Sequence, residues 1–147
     1  MKKKKTRIKA VIDSNLFVSG LFAEDGPTKQ LQDLWATQKI DLAVSEDILK
    51  EIKKTLQKPY LRERLFFFEG EEDEVIELIR EKAHIVTHDL YQTDRIADDP
   101  TDNKFLACAL EAQADYIVSG DNHLLSLKHY HGIQIVDAKA FIAMLTK

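Results

Sequence analysis

Asp13, Asp102, Asp121 and Glu51 are the residues of this chain whose types and positions can do chemistry. In "AVIDSNLFVSG", residues 10–20, Asp13 directly follows Val11 and Ile12, so an apolar run suited to a buried strand ends in a carboxylate. "YIVSGD" repeats the pattern and ends in Asp121. In "DDPTDNKFLACALEAQA", Asp99 reads as a helix cap ahead of Pro100 at the first helical position, which puts Asp102 in the first turn. Glu51 lies six residues beyond Ser45, itself a good N-cap. That is about 9 Å along a helix at a rise of ~1.5 Å per residue, and its side chain leans back toward the helix start. Four carboxylates gathered in one place repel one another and need a positive charge among them. All-oxygen donors with retained waters suit Mg2+ or Mn2+, and such a site can generate a hydroxide nucleophile and neutralise a phosphate in transit. The chemistry indicated is phosphodiester hydrolysis. Taken singly, each acid has a plainer reading as a cap or turn former, and only their convergence points to a metal.

Convergence depends on the elements that carry the acids. Residues 8–13 read as a strand, and Pro27 opens a helix whose Leu31, Leu34 and Trp35 recur at helical spacing. "DLAVS" is a second strand, followed by a helix from the Ser45 cap to about Lys58, with Ile48, Leu49, Ile52 and Leu56 in one stripe and Glu51 at its margin. Two amphipathic helices are expected over residues 60–82, broken near Gly70, then a strand at "HIVT" and a polar loop. The helix capped by Asp99 runs to about Ala114, "YIVSGD" is a strand, and "NHLLSLKHY" is a short helix. A strand at residues 133–136 and a helix carrying Phe141, Ile142 and Leu145 close the chain. Continuously apolar strands alternating with helices predict an α/β fold with a mostly parallel sheet covered on both faces. In such a sheet the carboxyl ends of the strands and the amino ends of the following helices share the edge where ligands bind.

The remaining composition narrows the classes. With 147 residues the chain is expected to form one domain over 1–147, with residues 1–6 as a flexible basic tail. The composition, 44% hydrophobic and 31% charged, is that of a soluble protein, and no apolar run approaches the roughly 18–20 residues that span a bilayer. No membrane association is expected, the start does not read as a signal peptide, and the cytoplasm is the expected location. A net charge of −4 means that any nucleic-acid contact must be local. Lys2 to Lys5 precede the first strand and so emerge at the edge opposite Asp13. Cys108 reads as a core residue, and His129 and His131 lack the companions a zinc site needs. His84 and His88 read as structural or exposed.

"AVIDSNLFVSG", the helix "SEDILKEIKKTL", "DDPTDNKFLACALEAQADYIVSGD" and the following "HLLSL" resemble a PIN domain, specifically its prokaryotic toxin group. The resemblance runs from about Ile8 to Leu145 and is most specific in its later half. It implies a three-layer α/β/α sandwich with a central, mostly parallel sheet, and a metal-dependent endoribonuclease activity. In that pattern Asp13, Glu51, Asp102 and Asp121 form the acidic metal site, Ser14, Asn15 and Ser119 support it by hydrogen bonds, and Asp99 is an auxiliary acid. Glu46 and Asp47, one turn before Glu51, are its competitors for that place. The resemblance also implies a small antitoxin protein as partner. Phe66, Phe67 and Phe68 either pack into the core, as aromatics on a helical hairpin more often do, or face a partner or a second copy in a homo-oligomer.

Rival classes must explain the same acids. A phosphatase with an aspartyl nucleophile wants a second acid two residues after the first, where this chain has Asn15. A receiver-type signalling domain wants adjacent acids early and a mid-chain acceptor, and the chain offers only Asp89 near that place. A non-catalytic PIN-like module that binds RNA or a partner is the remaining alternative. The reading preferred is a Mg2+- or Mn2+-dependent endoribonuclease acting on RNA, with Lys50, Lys54 and Lys104 as candidate phosphate contacts that serve equally as solvated helix faces.

Overall fold

The computed structural model describes residues 7–58, 71–86 and 102–145. The expectations placed on Lys2 to Lys5, on residues 60–70 with Phe66 to Phe68, and on His88, Asp89 and Asp99 lie outside the described residues. Among these residues the strands are β1 (Lys9–Ile12), β2 (Asp41–Ser45), β3 (His84–Val86), β4 (Tyr116–Val118), β5 (His129–Tyr130) and β6 (Ile133–Val136). The helices are α1 (Ser14–Phe22), α2 (Gly26–Ala36), α3 (Glu46–Leu56), α4 (Glu71–Lys82), α5 (Asn103–Ala112), α6 (Asn122–Leu125) and α7 (Ala138–Leu145). None is long and apolar enough to cross a membrane.

The sheet has six strands in the order β3-β2-β1-β4-β6-β5. All neighbours run parallel except β5, which pairs antiparallel with β6. Ala10, Val11 and Ile12 are consecutively buried, as are Leu42, Ala43 and Val44, so both faces of the central strands are covered. The architecture is the expected α/β/α sandwich. Helix α5 packs across β1, β2, β3 and β4, while α1 packs against α2 and α3, and α2 against α7. Phe17 and Trp35, with ring centroids 5.3 Å apart, join α1 to α2. Gly20 permits that approach, since a Cβ there would stand 3.2 Å from the Thr28 carbonyl oxygen.

The chain order positions the site. From β1 the chain winds outward to β2 and β3, then returns through α5 to β4 on the other flank of β1. The strand order therefore reverses between β1 and β4, and open α/β sheets bind ligands beyond the carboxyl ends of the strands at such a point.

Three elements differ from the sequence reading. Helix α1 was not foreseen, because Ser19 and Gly20 interrupt its propensity and its burial comes from α2 and α3. Its presence makes Asp13 an N-cap rather than a strand residue: β1 stops at Ile12, and the Asp13 carboxylate accepts the Leu16 N–H at 2.7 Å. Likewise β4 stops at Val118, and Asp121 caps α6. Finally, part of the segment read as one short helix is β5, turned into β6 by His131 and Gly132, both with positive φ, as a two-residue hairpin loop requires.

At the opposite, amino-terminal edge Lys9 Nζ lies 2.8 Å from His84 Nδ1 and donates to the Ala112 carbonyl at 3.1 Å. Burial, aided by the Lys9 charge, holds the His84 pKa below its ordinary value. His84 is exposed, with Lys9 as its contact.

Candidate metal centre

The ladder between β1 and β4 continues one step past the strands, with the Asp13 N–H donating to the Val118 carbonyl at 3.0 Å. That step sets Asp13 beside Ser119, which is fully buried. The Ser119 hydroxyl donates to Asp13 Oδ2, and the Gly120 N–H donates to the same oxygen at 3.2 Å. Ser119 Oγ in turn accepts the Asp121 N–H at 2.9 Å. A single hydroxyl therefore ties the acid after β1 to the backbone of the acid after β4.

Asp13 is 7% exposed, and burial is the main reason its pKa stands above the usual carboxylate value. The hydrogen bonds from Ser119, Leu16 and Gly120 oppose that shift, and the charge of Asp121 adds to it. The electrostatic effect of Asp121 on Asp13 is the repulsion expected of converging acids.

Asp102 occupies the N-cap position of α5, yet its side chain makes no capping bond to its own helix. It is 9% exposed. One ligand atom each from Asp102, Asp121 and His123 lie within 4.8 Å of one another. Asp121 accepts the N–H groups of His123 and Leu124 through Oδ1, at 2.7 and 3.3 Å, which orients the carboxylate and the start of α6 together. Two carboxylates and an imidazole are the donor types of a divalent-cation site, so the residues fit Mg2+ or Mn2+ on chemistry and spacing.

Glu51 is part-exposed on α3, and the Lys104 ammonium on α5 donates to its Oε2 at 2.8 Å. Lys50 and Lys54 stand exposed on the same helix as Glu51. Its competitor Glu46 is taken by Arg80, which grips it with two hydrogen bonds of 2.8 Å, and Asp47 is exposed. Ser14 is buried with a hydroxyl oxygen that finds no hydrogen-bond partner among the described residues, and Asn15 is exposed. Ser119 is the residue of the three expected supporters whose side chain bonds an acid of the site. Cys108 is buried in the core.

His123 was passed over in the sequence, where it appeared only as part of a short helix. The signal was its place two residues after Asp121 in "SGDNHLL", which a helix capped by Asp121 brings back beside its own cap.

An α/β/α domain with paired aspartates at the reversal of its strand order is the class that fold and site define. Residues 9–123 match the sequence model of the PIN domain. The chain is also 34% identical over 128 residues to an uncharacterized protein of Methanocaldococcus jannaschii, covering 86% of this chain and 79% of that one. The chain belongs to the PIN domain family. Among solved structures, VapBC2 from Rickettsia felis, crystallised with a DNA fragment from its promoter, shares the fold with a TM-score of 0.56 at 10% identity. That likeness covers 87% of this chain and 97% of the other.

Proposed function

We propose that the protein is a metal-dependent endoribonuclease that hydrolyses RNA phosphodiester bonds and serves as the toxin of a toxin–antitoxin pair. The observation that carries the catalytic reading is the clustering of Asp102, Asp121 and His123 donor atoms within 4.8 Å, beside Asp13 on the adjoining strand end. Asp102 and Asp121 would hold the cation, with Asp13 and Glu51 as the further acids of the set. A bound Mg2+ or Mn2+ supplies positive charge to the phosphate oxygens and lowers the pKa of a coordinated water. Ser119 fixes the Asp13 carboxylate, so that this acid does not have to be reoriented at the moment of reaction. Lys104, released from Glu51 or shared with it, offers an ammonium to a backbone phosphate, with Lys50 and Lys54 as further contacts. The fold shared with VapBC2 supports a small antitoxin as partner.

The test is incubation of purified protein with single-stranded RNA in Mn2+ or in EDTA, beside the Asp121→Asn variant. Internal cuts that need both the metal and Asp121 support the reading. Binding of RNA without cutting under either condition would leave the non-catalytic binding module in its place.

A further inference from the structure

We infer that the His123 imidazole is a metal ligand in its own right and that it tilts the site toward Mn2+ over Mg2+. The inference rests on the reading that a divalent cation sits among Asp102 and Asp121. His123 Nδ1 lies 3.7 Å from Asp121 Oδ1, beyond hydrogen-bond range. Two atoms that each stand about 2.1 Å from one octahedral ion are ~3 Å apart when adjacent and ~4.2 Å apart when opposite. The observed 3.7 Å lies between the two, ~0.5–0.7 Å from either. The whole set lies within 4.8 Å, so a pair at that limit closes by ~0.6 Å to stand opposite or by ~1.8 Å to stand adjacent. The side chain that must move is half exposed, so the ring can turn, while the cap on Asp121 holds the backbone of residue 123 in place.

The donor type decides the ion. Mg2+ is hard, takes oxygen ligands almost without exception and gives up its waters reluctantly, so a ring nitrogen adds little to its binding. First-row transition ions accept imidazole nitrogen, and Mn2+ is the member of that row that also favours carboxylates and water. Two carboxylates with one imidazole therefore match Mn2+ better than a purely carboxylate set does.

The test uses the full chain loaded with Mn2+ alone and read by pulsed electron paramagnetic resonance, with affinities for Mn2+ and Mg2+ measured by calorimetry. The expected result is a nitrogen coupling in the Mn2+ spectrum that is absent in His123→Ala. Mn2+ affinity should fall in that variant by at least the order of tenfold that losing an outer-sphere partner costs, and Mg2+ affinity by much less. His123→Asp, which restores an all-oxygen set, should shift the preference toward Mg2+. An unmutated protein without nitrogen coupling, or an unchanged Mn2+ to Mg2+ ratio in His123→Ala, would overturn the inference. Because neither measurement contains RNA, a protein that shows the coupling and cuts no RNA keeps this inference and loses the nuclease reading. Cleavage without the coupling does the reverse, and failure to bind either ion removes both.

Discussion

Ser119 donates its hydroxyl to the buried Asp13 carboxylate, bonding the turn after β4 to the turn after β1. The two residues are 106 positions apart in the chain. Their contact exists because β1 and β4 are parallel neighbours whose ladder puts Ile12 opposite Val118. The same hydroxyl accepts the Asp121 N–H, so one side chain links three points of the site.

Replacing that hydroxyl should therefore loosen the site and the fold together. Ser119→Ala leaves Asp13 Oδ2 with the Gly120 N–H alone and the Asp121 N–H without its acceptor. The expected loss is about 1–3 kcal/mol of unfolding free energy, read by urea denaturation, with slower cleavage at saturating metal. Unchanged stability and unchanged rate would show that the serine holds nothing.

Metal should stabilise the folded chain. At a free concentration one hundred times the dissociation constant, one site contributes ~2.7 kcal/mol, seen as a rise in melting temperature with Mn2+. Asp102→Asn should lose most of that rise. A variant that retains it places the cation elsewhere.

Glu51 should matter less than the aspartates, because its charge is already balanced by Lys104. A part-exposed pair of this kind is worth roughly 0–1 kcal/mol, so Glu51→Gln should leave metal-free stability nearly unchanged. In calorimetry its Mn2+ affinity should fall clearly less than that of Asp102→Asn. Equal losses would make Glu51 a full ligand.

The pair of Glu46 and Arg80 ties α3 to α4 and gives the fold an acid-sensitive contact. The Arg80 hydrogen bonds hold the Glu46 pKa below its ordinary 4.5, so the folded chain keeps this group ionised to lower pH than the unfolded chain does. Its stabilisation is fully present above the unfolded value and is lost as pH falls through the folded one. Both side chains are about 40% exposed, which limits the effect to roughly 0.5–1 kcal/mol. The stability difference between the protein and Glu46→Gln should be constant near neutral pH and vanish in acid. A difference that grows in acid would contradict the assignment.

Much of this was legible in the sequence because local signals and tertiary demands agreed. "DLAVS", ending in Ser45, became a buried strand and the cap of a helix, with the Ser45 hydroxyl accepting the Ile48 N–H as the pattern required. The residues around Asp13 and Asp121 were harder to read, since an apolar run before an acid fits a strand end and a helix cap equally well. Each acid turned out to cap a helix with one oxygen while standing just past the end of its strand. His123 was missed because a histidine two residues into a four-residue helix has no periodicity to betray it. The Glu51 to Lys104 pair was equally hidden, since its partners lie 53 residues apart on helices whose relative placement only the packing decides.

A metal site that cuts RNA, built on Asp102 and the acids after β1 and β4, ties Mn2+ occupancy to cleavage. Both are followed on a single-stranded RNA in one titration, with the protein and Asp121→Asn side by side. The rate should rise in proportion to bound Mn2+, and the variant should show neither occupancy nor cleavage over the same range. Cleavage that is complete before any Mn2+ binds, or that persists in Asp121→Asn, would contradict the claim.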